Sequence, residues 1–118
     1  MIGRGEAGKT SLIQTLRCGS SFLQPPENRT LSLDITEWEM EGPGKFVCYD
    51  FAGQQEYHST HHLFLSRLSL HVLVFDVTRF VPDDEEEAKC VFAEEVWFWL
   101  EMVRTRVPGA VVAVVGTK

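Results

Sequence analysis

Gly3-Arg4-Gly5-Glu6-Ala7-Gly8-Lys9-Thr10 decides the fold of this chain. The octet matches GxxxxGK[ST] in full. Phosphate oxygens need several backbone N–H groups aimed at one point, which requires a loop with little side-chain bulk, so glycines dominate. The stretch that follows, Ser11-Leu12-Ile13-Gln14-Thr15-Leu16, has a helical pattern. The unpaired N–H groups and dipole of a helix N-terminus favour an anion. Lys9 is suited to the β- and γ-phosphates and the Thr10 hydroxyl to Mg²⁺. The candidate phosphate-binding set is Gly3, Gly5, Glu6, Ala7, Gly8, Lys9, Thr10 and Ser11.

A second motif lies downstream, in Asp50-Phe51-Ala52-Gly53-Gln54-Gln55-Glu56. It follows an expected strand, Lys45 to Tyr49. An acidic residue at a strand end beside a phosphate loop can hold Mg²⁺ through a water. Gly53 can bring its N–H to a γ-phosphate because it has no side chain to block the approach. The Gln54 carboxamide is then placed to orient an attacking water, which makes it the candidate catalytic residue. Asp50 alone would equally suit a strand-end turn; the pairing with the phosphate loop decides between them.

Around these motifs, short apolar runs alternate with helical stretches, the pattern of an α/β fold with a mixed sheet. A helix is expected from Gly8 to about Cys18, then a loop through Pro25 and Pro26. Leu31 to Met40 alternates as a half-buried strand and forms a hairpin with Lys45–Tyr49 across Glu41-Gly42-Pro43-Gly44. Gln55 to about Leu68 reads as a short or irregular helix. Leu70 to Val77 reads as a strand covered on both faces. A long helix is expected from Ala88 to about Arg106, with Phe92, Val96, Trp99, Leu100 and Val103 on one face. Pro108-Gly109 stops it, and Ala110 to Val115 is another buried strand.

The 118 residues allow one domain at most. Apolar residues make up 44% and charged residues 24%, as in ordinary globular proteins. The net charge of −6, from 17 acidic and 11 basic residues, argues against nucleic-acid binding, which needs clustered Lys and Arg. One triphosphate needs only local donors and a metal. Cys18, Cys48 and Cys90 are odd in number and form no CxxC pair, so a reduced, cytoplasmic chain is expected. No apolar run approaches the roughly 20 residues of a membrane span.

Gly3–Thr10, Asp50–Gly53 with Gln54, and Val115-Gly116-Thr117-Lys118 resemble the first, third and fourth motifs of Ras-like P-loop GTPases. The string from Asp50 through Tyr57 to His61 resembles, more narrowly, the Roc domains of Roco proteins such as the leucine-rich-repeat kinases. Thr30-Leu31-Ser32-Leu33-Asp34-Ile35 is similar to the Roc switch I segment. The resemblance runs along almost the whole chain. It implies a mostly parallel mixed sheet with helices on both faces, GTP or GDP with Mg²⁺ as ligands, and slow hydrolysis of GTP. It places Thr30 over Mg²⁺ and the γ-phosphate, making Thr10, Thr30 and water-bridged Asp50 the metal set. It places Thr117 and Lys118 in the nucleotide site. It also implies COR-like and other neighbouring domains and a homodimer of the intact protein.

Two departures qualify the match. The guanine-reading motif is cut at Lys118, before its Asp, so guanine preference comes from the resemblance; ATP is a minor alternative. Only Met1-Ile2 precede Gly3, where a central strand of about five or six residues belongs. The chain is therefore expected to be a partial domain, lacking the first strand and the C-terminal strand and helix, and unstable or prone to aggregation in isolation. The rival functional reading is a nucleotide-binding scaffold with negligible turnover.

The remaining features read as bland. His58, His61 and His62 have no Cys or acidic partner at ligand spacing. Asp83–Glu87 is a solvated loop that complements a helix N-terminus, or a contact for a basic partner. Trp97 and Phe98 lie off the apolar stripe, and one of them is exposed, meeting a neighbouring domain or packing under a loop. Arg4 is solvent-exposed rather than an arginine finger.

Overall fold

A computed structural model describes residues 1–20, 33–39, 44–52, 65–80 and 84–118. Helix α1 spans Lys9–Cys18. Strands β1 (Leu33–Glu39) and β2 (Lys45–Phe51) form an antiparallel hairpin in which Trp38 faces Phe46. Their rings stack with centroids 6.0 Å apart, the kind of cross-strand aromatic pair that fixes register. Strand β3 (Leu70–Asp76) pairs in parallel with β4 (Val111–Thr117). A short 3₁₀ turn, Val77–Arg79, leaves β3. Helix α2 (Glu85–Phe92), a π turn (Ala93–Trp97) and helix α3 (Phe98–Arg106) connect it to β4.

Met1 and Ile2 stand between the two strand pairs. Ile2 donates to Val72 O and accepts from Val74 N, both at 2.9 Å, while Phe51 N donates to Met1 O at 3.3 Å. Met1 N donates to Tyr49 O. The shared neighbour of β2 and β3 is thus a two-residue segment, and the sheet runs β1, β2, Met1–Ile2, β3, β4. Ile2 is buried with Phe51, Leu73, Val96, Trp99 and Val103 in one apolar cluster. Ile13 of α1 is buried outside that cluster, and α1 lies against β2.

Several boundaries differ from the sequence reading. From Asp84 on, the acidic run belongs to a helix rather than a loop, and it complements the helix N-terminus as expected. Asp84 caps α2, accepting from Glu87 N at 3.0 Å, and Glu85, Glu86 and Glu87 form its first turn, where carboxylates meet the positive end of the helix dipole. The π turn adds a residue to one helical turn and shifts the inward face by one position. Val96, Trp99 and Val103 are buried as expected, but Phe92 is 46% exposed and Val91 takes its place. Trp97 and Phe98 are both exposed.

Strand β2 runs two residues beyond Tyr49, so Asp50 and Phe51 are part of it. Leu33 and Phe51 stand opposite each other at the covered end of the hairpin, while Ile35, Phe46, Val47 and Tyr49 farther along are exposed. Strand β4 is not covered on both faces, since Val111 and Val114 are exposed. The helix expected to reach Leu68 does not, because Arg67 and Leu68 form a turn; its remainder, like Thr30, Gly53, Gln54 and the three clustered histidines, lies outside the described residues. Among the described residues, no helix is long and apolar enough to cross a membrane.

Trp99 is 1% exposed and Trp97 53%, so the same truncation tests the register set by the π turn. In the intact protein Trp99→Ala should cost about 3–5 kcal/mol and Trp97→Ala about 1 kcal/mol or less, read by urea unfolding. Equal losses would contradict the helix placement.

Candidate nucleotide site

The loop Gly3–Thr10 runs from the Met1–Ile2 segment into α1. Gly3 has φ 132°, and a Cβ there would lie 2.1 Å from Val74 O, so the loop can leave the sheet at this point only through glycine. Gly8, at φ 83°, is the N-cap of α1 and offers no side chain to its N–H groups. A Cβ on Gly8 would approach the Thr117 hydroxyl to 3.4 Å. Glu6 also adopts a positive φ, 65°, a conformation that L side chains resist. The result is a glycine-lined cradle at a helix N-terminus, the geometry suited to a phosphate.

Two expected metal ligands meet here. The Thr10 hydroxyl donates to Asp50 Oδ2, joining the first turn of α1 to the end of β2. Asp50 is 1% exposed. A hydroxyl and a carboxylate in contact at the mouth of a phosphate cradle form a hard oxygen donor set that fits Mg²⁺. Lys9 is buried beside them and donates to Gly3 O at 3.0 Å and Arg4 O at 2.8 Å. Burial pushes its ammonium pKa down from the ordinary 10.5 to about 8, against the opposing pull of the Asp50 and Glu95 carboxylates.

The far end of the chain closes the loop from behind. Thr117 Oγ1 lies 2.6 Å from Ala7 O and 3.1 Å from Phe75 O. Lys118 Nζ donates to Glu6 O at 2.6 Å and to Asp76 Oδ2 at 3.1 Å. Both residues are therefore brought to the phosphate loop, as the fourth motif implied. Asp76 joins the site without belonging to any of the motifs. It caps the 3₁₀ turn by accepting from Thr78 N at 2.9 Å. Burial alone would raise its pKa, but hydrogen bonds from Thr78 and Lys118 outweigh this and hold it below the ordinary value. An Asp closing an apolar run two residues before a Thr was the available signal.

Arg4 is exposed, as expected, and its Nη1 lies 2.8 Å from Glu94 Oε2 and 3.3 Å from Glu95 Oε1. Glu95 also accepts from Arg79. Glu95 stands four residues before Trp99 and four after Val91, on the buried side of a helix that includes a π turn. Cys18, Cys48 and Cys90 are all free thiols.

A family model described as "Ras of Complex, Roc, domain of DAPkinase" matches residues 1–118. The chain belongs to the Roc family of Ras-like GTPase domains. It is 35% identical over 129 residues to leucine-rich repeat serine/threonine-protein kinase 1 of Caenorhabditis elegans, covering 99% of this chain and 5% of that protein. It is 28% identical over 141 residues to the probable serine/threonine-protein kinase pats1 of Dictyostelium discoideum, covering 99% of this chain and 4% of the relative. The Roc chain thus spans about a twentieth of these relatives. A solved structure of Methanosarcina barkeri Roco2 RocCORdC bound to GDP superposes with a TM-score of 0.66 at 32% identity, covering 100% of this chain and 32% of that one. The Ras-like α/β fold is therefore that of the Roc domain.

The depressed Lys9 pKa has a consequence for stability. Between about 8 and 10.5 the unfolded Roc chain holds the proton and the folded one does not, so stability rises with pH through that window. In nucleotide-free protein, wild type should gain about 2–3 kcal/mol relative to Lys9→Met between about pH 7 and pH 10. Urea unfolding at the two pH values checks this. A pH-independent difference would show that Lys9 is not held in a desolvated state.

Proposed function

We propose that this Roc domain binds GTP and GDP with Mg²⁺ and slowly hydrolyses GTP, acting as a switch within a longer signalling protein. The contact between Thr10 and Asp50 at the mouth of the phosphate loop carries the reading. It brings a hydroxyl and a buried carboxylate together at a helix start and a strand end, and the glycine cradle beside it admits phosphate oxygens. The GDP bound to the Methanosarcina Roco2 relative supports a guanine nucleotide here.

In this reading Lys9 and the loop N–H groups, from Gly3 through Ser11, hold the phosphates. Thr10, Thr30 and, through water, Asp50 would hold Mg²⁺, which when bound would neutralise charge on the phosphate oxygens. Gln54 orients a water for attack on the γ-phosphorus, and the bond to the β-phosphate oxygen breaks to leave GDP and inorganic phosphate. Positioning and charge neutralisation supply the rate. Thr30 and Gly53 order around the γ-phosphate and are released after hydrolysis. Thr117 and Lys118 fix the loop and extend toward the base. A COR domain is the natural neighbour, by analogy with the RocCORdC chain of the relative. Free thiols fit a cytoplasmic location. A homodimer of the intact protein would bring two such switches together.

The test uses the intact protein. GTP should bind in a magnesium-dependent way and outcompete ATP, and Lys9→Ala should weaken binding by about 10- to 100-fold. Single-turnover hydrolysis should fall by about 10- to 100-fold in Gln54→Leu. Binding unaffected by Lys9→Ala would refute the site. Equally slow hydrolysis by wild type and Gln54→Leu would remove the catalytic role of Gln54, and negligible turnover in both would leave a nucleotide-binding scaffold.

A further inference from the structure

Glu95 occupies a place where the helix should carry an apolar side chain. The π turn rotates it into the inward face between Val91 and Trp99, and its side chain is 1% exposed. A carboxylate taken out of water is costly unless it is paired and hydrogen-bonded, and an apolar residue of similar size would generally serve stability as well or better. Its partners explain its presence. Arg79, at the end of the 3₁₀ turn after β3, donates to Oε1. Arg4, inside the phosphate loop, brings Nη1 to 3.3 Å from the same oxygen. Glu94 next to it adds a contact to Arg4 at 2.8 Å.

Arg4 links this buried charge to the phosphate site. Its carbonyl accepts from Lys9 Nζ at 2.8 Å, while its guanidinium is tied to the helix. The Arg4 side chain is therefore one tie on this part of the loop, beside the bonds from Lys9 to Gly3 O and Arg4 O and from Ala7 N to Arg4 O. The Glu95 carboxylate also acts electrostatically on Lys9 itself.

We propose that Glu95 is a positioning residue for the nucleotide: by anchoring Arg4 to the π turn, with Arg79 holding the carboxylate in place, it keeps the phosphate loop in its binding conformation. This rests on the proposed function. Preorganisation raises affinity because the loop need not be ordered when the ligand arrives. The effect falls on the part of the loop that serves GTP and GDP alike, so both ligands are weakened equally when the anchor is lost.

The experiment measures dissociation of fluorescent GDP and of a fluorescent non-hydrolysable GTP analogue from the intact protein, in Mg²⁺. Glu95→Gln and Arg4→Ala should each speed dissociation about three- to tenfold, by the same factor for both nucleotides. The double variant should be no faster than the faster single one, because both remove one interaction. Arg4→Lys, which keeps a cation in reach, should stay within about twofold of wild type. If Glu95→Gln folds poorly, Arg4→Ala, on a half-exposed side chain, and its rescue by lysine carry the test. Dissociation of Glu95→Gln at the wild-type rate, or single effects that multiply in the double variant, overturns the proposal. Failure of the wild type itself to bind guanine nucleotide overturns the proposed function, a result read separately in the Lys9→Ala comparison.

Discussion

The Thr10 hydroxyl and the Asp50 carboxylate meet at the point where α1 begins and β2 ends. Their contact is the constraint around which the site is organised. A buried carboxylate must be compensated, and here the compensation comes from a hydroxyl and, at longer range, the Lys9 ammonium. Lys9 in turn is buried and spends its hydrogen bonds on the carbonyls of Gly3 and Arg4. Three groups with little reason to leave water are thus gathered on one side of the sheet. The phosphates and Mg²⁺ of the proposed ligand would satisfy all three.

The loop they surround is braced from two further directions. Thr117 and Lys118, at the end of β4, hold the carbonyls of Ala7 and Glu6, and Asp76 at the end of β3 holds Lys118. Arg4 reaches the opposite way, to the π turn. The ends of parallel strands therefore converge on one loop, the general location of ligand sites in open α/β sheets. A positive φ at the non-glycine Glu6 is tolerated within this frame.

Much of this was legible in the residues themselves. Phosphate chemistry restricts the loop so tightly that Gly3–Thr10 could be assigned from spacing alone, and the strand-borne Asp50 followed from its place relative to that loop. The hairpin was readable from the alternation in Leu31–Met40, and β3 from its apolar run. The long helix was only half readable. Its 3.6-residue periodicity locates Val96, Trp99 and Val103, but a π turn leaves no mark on composition, so the burial of Val91 and Glu95 in place of Phe92 is not legible in that stripe. The helix start was not legible in the acidic run, because Asp and Glu suit solvent as well as a helix N-terminus; the cap at Asp84 decides between them. The brevity of the Met1–Ile2 segment was evident, but its position between β2 and β3 needed hydrogen bonds to establish.

If Thr10 and Asp50 mark a magnesium-nucleotide site, the affinity of the intact protein for GDP must depend on Mg²⁺ through Asp50. Titrating GDP with and without Mg²⁺, for wild type and Asp50→Asn, tests this directly. Mg²⁺ should tighten wild-type binding about tenfold or more, and Asp50→Asn should lose most of that gain. The same magnesium dependence in both proteins would contradict that site.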